Sequence, residues 1–344
     1  MKKTALKNLN KLQLQKFVQS QGLKPFRARQ LFHWMYQKNA ADFSEMTTLK
    51  KSIRDSLKNV AEINLLKLNS VVSSKFEPTF KFLFELEDGE MLESVYMEDA
   101  DRRTICVSTQ VGCALNCDFC ATGKMGLRKN LTFGEIVEQV LHIERYIGKK
   151  STNVVMMGMG EPFLNYDAVI QAADFISDQE GIAISKKKIL ISTSGILPGI
   201  RRFTEEKQNY KLAISLNAVT DKIRTDLMPV NRKYPLNVLL ATVRRYAEQS
   251  RYLVTFEYLL ISGINDSPTD AKKLKKLLQG IRCKINIIPF NSVNSPYRPV
   301  SENVIEQFLQ VLASISAPVT VRRSKGQDIN GACGQLYTET SKKQ

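Results

Sequence analysis

Apolar and polar positions change their period along the chain. The residues before Gly22 read as a short helix. PFRARQLFHWMYQK reads as a second, with Leu31, Trp34 and Met35 at i, i+3 and i+4 and with Arg27, Arg29 and Lys38 elsewhere around the cylinder. That spacing assigns Trp34 to a core rather than to an open surface on which a base could stack. Residues 79–97 then alternate: Phe80, Phe82 and Phe84 are interleaved with Lys81 and followed by Glu85, Asp88-Gly89 supplies a tight turn, and LESVYM returns. Period two around a turn predicts a β-hairpin.

From about residue 104 the pattern becomes apolar runs of strand length separated by helical stretches: ICVST, NVVMMGM, KILIST, KLAISL, LVTFEYLLI, KINIIPF and PVTVRR. Runs this continuous belong to strands covered on both faces. They predict an α/β core with a parallel sheet, as a barrel or a doubly wound sheet, and a partial barrel is the preferred arrangement. Thr132 and Glu135 form a capping box that opens a helix from Phe133 to about Ile147. The cysteine-rich stretch before it therefore sits where the first strand hands over to its helix, the end at which active sites collect in such folds. The expected organisation is a helical domain over 1–60, a β-hairpin extension over 61–100, the core over 101–335 and a tail over 336–344.

A chain of 344 residues with 43% hydrophobic and 24% charged residues is of ordinary globular composition, which excludes disorder, collagen-like repeats and a coiled coil. No apolar run reaches the ~18 residues a spanning helix needs, and MKKTALKNLNKLQLQ carries no signal-peptide core, so a cytoplasmic protein without a membrane partner is expected. Charge changes the picture more: 50 Lys and Arg against 34 Asp and Glu leave +16, and the first 60 residues alone hold thirteen basic and three acidic side chains. Such a surplus suits a polyanionic partner, nucleic acid first, although a solvated face would carry the same composition.

Three of six cysteines fall in GCALNCDFC, as Cys113, Cys117 and Cys120. Structural zinc normally takes four ligands, whereas a [4Fe-4S] cluster held by three cysteines keeps one iron open for a substrate. A zinc loop completed by a distant cysteine, or by His33 or His142, is the competing reading. GMGE, with Gly158, Gly160 and Glu161, follows the second strand and by itself reads as a tight turn. Cys333 lies among Gly326, Gly331 and Gly334, flexible enough to carry a thiol into a pocket. Cys106 and Cys283 fall in strands and read as core, and Glu93 reads as a surface residue of the hairpin.

A CxxxCxxC loop after the first strand of such a chain resembles the radical S-adenosylmethionine (radical SAM) superfamily. More narrowly, the chain is similar from about residue 10 onward to the RlmN/Cfr family of RNA adenosine methyltransferases. The shared stretches are FRARQLFHWMYQ, ESVYMEDADRRTICVSTQVGCALNCDFCATGKMG, GMGEP, ISTSGILPGI, ISLNA, FEYLLISGINDS, INIIPFN and ACGQL. The resemblance implies a partial (β/α)6 TIM-like barrel with a small N-terminal helical domain and a β-hairpin extension. It implies one [4Fe-4S] cluster on Cys113, Cys117 and Cys120, and S-adenosylmethionine, two molecules per turnover, lined by Gly160, Glu161, Ser192, Ser215, Leu216, Asn217 and Asn291. In the same scheme Cys333 carries the methyl group, Cys106 resolves a protein–RNA adduct and Glu93 accepts a proton. The implied substrates are 23S rRNA and tRNA, methylated at adenine C2, with an external electron donor such as flavodoxin and a monomeric enzyme.

The chain departs from the family pattern at SLNA, where SLHA is usual, and at DINGACGQL, where DIDAACGQL is usual. Asn217 cannot titrate as a histidine does, and Asn330 with Gly331 removes a charge and adds freedom beside Cys333. CATG after the cluster loop occurs on the C8-methylating, Cfr side of the family as well, whereas Pro162 and IIPFN resemble the C2 side. A methylthiotransferase would need a second cysteine-bound cluster, for which Cys106, Cys283 and Cys333 are too scattered.

Overall fold

The computed structural model describes residues 3–291 and 296–338; residues 339–344 of the expected tail lie outside it. Ten strands form one sheet in strict chain order. They are β1 (Leu66–Ser73), β2 (Thr79–Leu86), β3 (Met91–Asp99), β4 (Arg102–Cys106), β5 (Asn153–Met156), β6 (Ile189–Thr193), β7 (Lys211–Ser215), β8 (Val254–Leu260), β9 (Cys283–Pro289) and β10 (Val319–Val321). The first four pair antiparallel, and β4 to β10 pair parallel throughout. All seven apolar runs of the core are strands of this parallel part.

Each strand from β4 to β9 is followed by helix: α4 (Phe133–Ile147), α5 (Tyr166–Ser177), α6 (Leu197–Glu205), α7 with α8 (Asp221–Leu227, Leu236–Gln249), α9 (Pro268–Leu278) and α10 (Glu302–Leu312). That makes six β/α units with β10 as a bare closing strand. Among the described residues the sheet stays open, with β1 and β10 as its unpaired edges. Both ends of α4 are set by sequence: Thr132 Oγ1 accepts from Glu135 N, Glu135 Oε2 accepts from Thr132 N, and Gly148 stops the helix at φ 71°. The β2–β3 hairpin lays Phe82 against Tyr146 and Phe84 against His142 on α4, which buries the aromatic face that its alternation predicts.

The N-terminal residues form α1 (Lys11–Ser20), α2 (Phe26–Phe32) and α3 (Lys51–Val60), and α2 continues as a π turn over His33–Gln37. Trp34 packs half-buried on the core and donates to Thr48 Oγ1 at 2.7 Å. This part is fastened to the barrel by a buried ion pair, Lys7 Nζ to Glu138 Oε1 at 3.3 Å, with both side chains fully excluded from solvent. Gly134, at the start of α4, permits the approach, since an added Cβ there would stand 2.5 Å from Lys7 O. Among the described residues no helix is long and apolar enough to cross a membrane.

Candidate active site

Cys113, Cys117 and Cys120 sit on the loop between the short strand Gln110–Gly112 and the single helical turn Ala121–Lys124. Backbone bonds from Cys113 N to Gly126 O and from Cys120 N to Cys117 O, both 3.0 Å, fold the loop back on itself. All three thiols line one cavity of about 590 Å³ at the C-terminal ends of the parallel strands. Burial pushes the Cys113 thiol up to about 12 and raises those of Cys117 and Cys120 as well. A metal's positive charge at this loop would favour the thiolate form that burial disfavours.

Among the described residues no three His, Cys, Asp or Glu side chains close on one point as a single metal ion requires. A cluster spreads its cysteine ligands over separate irons. Amide groups of Leu115, Thr122 and Gly123 are directed at Cys113 and Cys120. Three thiols on one loop, with backbone amides directed at two of them, are a donor set that fits an iron–sulfur cluster.

The C-terminal segment is tied onto this loop. Ala121 N donates to Gly334 O at 2.7 Å and Thr122 Oγ1 to Leu336 O at 2.6 Å, so Cys333 is carried to the cavity it lines. Cys333 is exposed at the mouth, while Cys106, the last residue of β4, is buried in the wall. Burial raises the Cys106 thiol to about 12, with Arg322 opposing. Arg322, just past β10, lines the cavity, and the acidic groups around it, Cys333 first and then Glu257 and Cys106, raise its basicity against burial.

Gly160 and Glu161 are also on the wall. Gly160 has φ 98°, and a Cβ there would meet Gln110 Cβ at 2.5 Å, so both backbone and space require glycine. Glu161 is buried, and its carboxylate accepts from Phe163 N at 3.0 Å and Ser194 N at 2.7 Å. Burial raises its pKa against the pull of those bonds. Ser192, Ser215 and Asn217 line the cavity as well. Leu216 does not: its side chain is fully buried, because successive residues point to opposite faces. Asn291, one residue beyond the wall residue Phe290, is half-buried and off the wall.

Asn217 adopts φ 57°, a left-handed backbone that asparagine tolerates. Its Oδ1 accepts from Leu259 N at 2.9 Å, and its Nδ2 donates to Met228 Sδ at 3.3 Å. The amide thus supplies the acceptor that joins the ends of β7 and β8.

Glu93 departs from the surface position its strand pattern suggested. It is 4% exposed, because the C-terminal segment covers it. Its carboxylate pairs with Lys81 Nζ at 2.8 Å and accepts from Tyr337 N at 2.9 Å, and it lies off the cavity wall. Burial raises its pKa, with Lys81 and the Tyr337 amide opposing. Cys283 is buried core in β9, as expected of it.

Sequence reasoning passed over Arg224, Arg322 and Glu257. Arg224 is wholly buried in α7 and donates to Ser194 O at 2.8 Å, Ser215 O at 3.1 Å, Leu216 O at 3.1 Å and Asn231 Oδ1 at 3.0 Å, which pins the ends of β6 and β7. IRTDL gives no sign of this, since an arginine on a short helix reads as a solvated one.

A barrel of this topology with three cysteines and a glycine-rich turn at its open end defines a radical SAM enzyme, and comparison with known proteins agrees. Residues 107–274 match the radical SAM superfamily, and residues 4–63 match the ribosomal RNA large subunit methyltransferase N-terminal domain. A crystal structure of a radical SAM methyltransferase from Sphaerobacter thermophilus superposes with a TM-score of 0.94 at 43% identity, covering 98% of this chain and 100% of that one. A dual-specificity RNA methyltransferase RlmN from Syntrophobacter fumaroxidans is 43% identical over 98% of this chain and 99% of its own length. Another, from an Anaeromyxobacter species, is 44% identical over 97% of this chain and 90% of its own. The chain belongs to the RlmN family of S-adenosylmethionine-dependent radical RNA methyltransferases.

Proposed function

We propose that this chain methylates C2 of an adenosine in 23S rRNA and in tRNA, with Cys333 as the methyl carrier. The observation that carries the reading is one cavity lined by the three cluster cysteines, by buried Cys106 and by exposed Cys333. Adenine C2 lies between two ring nitrogens and is too electron-poor to attack a sulfonium methyl, so direct displacement fails. The cluster, held by Cys113, Cys117 and Cys120, and S-adenosylmethionine supply when bound a 5′-deoxyadenosyl radical that abstracts hydrogen.

The protein's own residues do the rest. The Cys333 thiolate takes a methyl group from one S-adenosylmethionine and releases S-adenosylhomocysteine. A second S-adenosylmethionine is spent when hydrogen is abstracted from that methyl, and the methylene bonds to C2. The adduct gives up one electron, which the cluster would take back when bound, and the C2 proton goes to Glu93, which the resemblance assigns to this step and which is reached once the C-terminal segment over it, bonded through Tyr337, moves aside. The Cys106 thiolate attacks the Cys333 sulfur, the sulfur–methylene bond breaks, and the carbon picks up a proton as the methyl of the product. A Cys106–Cys333 disulfide remains, which an external two-electron thiol reductant must reopen, while an external electron donor such as flavodoxin would feed the cluster. Gly160, Glu161, Ser192, Ser215 and Asn217 are the wall for S-adenosylmethionine; Leu216 and Asn291, which the resemblance also assigns to it, stand off that wall.

The exposed Lys16, Lys24, Lys50 and Lys51 of the N-terminal part are the RNA-facing charge. The enzyme is read as a cytoplasmic monomer, since both RNAs are there. The test is anaerobic reaction of reconstituted protein with protein-free ribosomal RNA, S-adenosylmethionine and a reductant, then nucleoside mass spectrometry. 2-Methyladenosine is expected. 8-Methyladenosine would move the chain to the C8 chemistry, and cofactor cleavage with neither product on rRNA or tRNA would overturn the substrate assignment.

A further inference from the structure

Four strands contribute one polar residue each to a single register row. Ser215 on β7 pairs with Glu257 on β8, Glu257 with Asn286 on β9, and Asn286 with Thr320 on β10. All four line the cavity. The hydrogen bonds along the row have one direction: Thr320 Oγ1 donates to Asn286 Oδ1 at 2.7 Å, and Asn286 Nδ2 donates to Glu257 Oε1 at 3.0 Å. The row ends at Glu257 Oε2, which is buried and has no hydrogen-bond partner among the described residues. The residue is 5% exposed. Burial works against its charge, Arg322, Asn286 and Lys284 work for it, and neither cation donates a bond to Oε2.

A buried carboxylate oxygen left without a donor is paired in the working state by something that enters the cavity. Asn286 is itself oriented by Thr320 and engages Oε1, which leaves Oε2 as the oxygen open to a donor. The cavity receives two adenosines, one from S-adenosylmethionine and one from RNA, and each offers a ribose hydroxyl. Electrostatics separates them. The RNA hydroxyl stands beside a phosphodiester anion, which a buried carboxylate repels. The ribose of S-adenosylmethionine carries a sulfonium cation at its 5′ carbon, which a carboxylate attracts.

We propose that Glu257 Oε2 is the acceptor for a ribose hydroxyl of S-adenosylmethionine, held ready by the Thr320–Asn286 relay. The assignment rests on the reading of this cavity as the cofactor chamber. It makes Glu257 a cofactor-binding residue that also favours the charged sulfonium over the neutral thioether.

Anaerobic equilibrium dialysis on reconstituted protein, with iron content and melting temperature as controls, tests it. Glu257→Leu removes the acceptor and is expected to weaken S-adenosylmethionine about tenfold or more, with RNA affinity unchanged. Glu257→Gln keeps an acceptor and loses the charge, so it is expected to weaken S-adenosylmethionine more than S-adenosylhomocysteine. Where a variant fails to fold, the wild type carries the test: of 2′-deoxy- and 3′-deoxy-S-adenosylmethionine, one is expected to bind about tenfold more weakly than the parent. Both deoxy analogues binding within twofold of the parent, or a Glu257 variant losing RNA but not cofactor, would overturn the assignment while leaving the chamber reading intact. Iron-loaded wild type that does not bind S-adenosylmethionine at all would overturn both together.

Discussion

Lys7 and Glu138 offer a direct measure of how the basic N-terminal part is held against the barrel. The pair is fully buried, and Glu138 also accepts from Leu65 N at 2.7 Å and stands 3.2 Å from His142 Nε2. Burial works to raise the Glu138 carboxyl, yet Lys7, His142 and the Leu65 amide outweigh it and hold the group below its ordinary value. Lys7→Met removes the paired cation and leaves a buried carboxylate whose remaining help is His142, the Leu65 amide and the more distant charge of Arg145. Breaking one side of a buried pair costs about 3–5 kcal/mol, a factor of about a hundred to several thousand in the folding equilibrium. Glu138→Gln in the same chain removes the stranded charge while keeping an acceptor for Leu65 N. The double variant is expected to recover all but about 1–2 kcal/mol, because two neutral groups of similar volume replace the pair.

The chain supplies its own reporter, since Trp34 is its single tryptophan and lies in the N-terminal part. Urea unfolding followed by Trp34 fluorescence is expected to show a lowered midpoint for Lys7→Met, larger than the shift seen by far-UV circular dichroism, which the barrel dominates. Equal midpoints for wild type and Lys7→Met, or a double variant no more stable than the single, would refute the reasoning. The sign with pH follows from Glu138. A carboxyl held below its ordinary value contributes stability that is present above that value, 4.5, and is lost as pH falls through the folded-state pKa. The gap between wild type and the double variant should therefore narrow in acid below about pH 4.

Cys333→Ala is expected to form no protein–RNA adduct, whereas Cys106→Ala should accumulate one; denaturing electrophoresis with labelled RNA reads both, and free product at the wild-type rate from Cys106→Ala would contradict the resolving role. Cys106 is buried with its thiol raised to about 12, whereas Cys333 is exposed, so brief iodoacetamide treatment of the apo-protein near pH 8 should label Cys333 first by peptide mass spectrometry. Exchanging Lys16, Lys24, Lys50 and Lys51 for Gln should weaken RNA binding and reduce the slope of log K against log salt by about 0.7–0.9 for each phosphate no longer neutralised; an unchanged slope would make these lysines merely solubilising.

The elements legible from sequence were those whose pattern is enforced on two sides. Strands β4 to β9 are covered by helices or by the cavity, so they read as continuous apolar runs, the edge strand β10 being only partly buried, and α4 declares both of its ends through Thr132, Glu135 and Gly148. Strand β1 escaped because only Leu66 is buried along Leu66–Ser73 and its remaining residues face solvent or stand half-exposed, leaving no clean alternation to find. The π turn after Phe32 leaves apolar spacing intact for too few residues to change the helical signal. Periodicity also fixes a residue's face without saying what lies over it. Glu93 has the spacing of a surface residue, and only the C-terminal segment, bonded through Tyr337, covers it.

The same limit explains why the three-residue wall Ser215-Leu216-Asn217 resolves into two wall residues and one core residue. A strand turns alternate side chains inward, so a contiguous triplet offers at most two to one cavity, and Leu216 faces the other way with its carbonyl held by Arg224. Long-range order is where the sequence is silent. Cys333 is brought to Cys120 across more than two hundred residues by Ala121 N to Gly334 O and Thr122 Oγ1 to Leu336 O, bonds that involve backbone atoms and leave no compositional trace. Those bonds join the glycine-flanked thiol to the helical turn that follows the cluster loop. The position of the carrier is therefore coupled to that loop, and a change that loosens Thr122 should alter Cys333 before it alters the barrel.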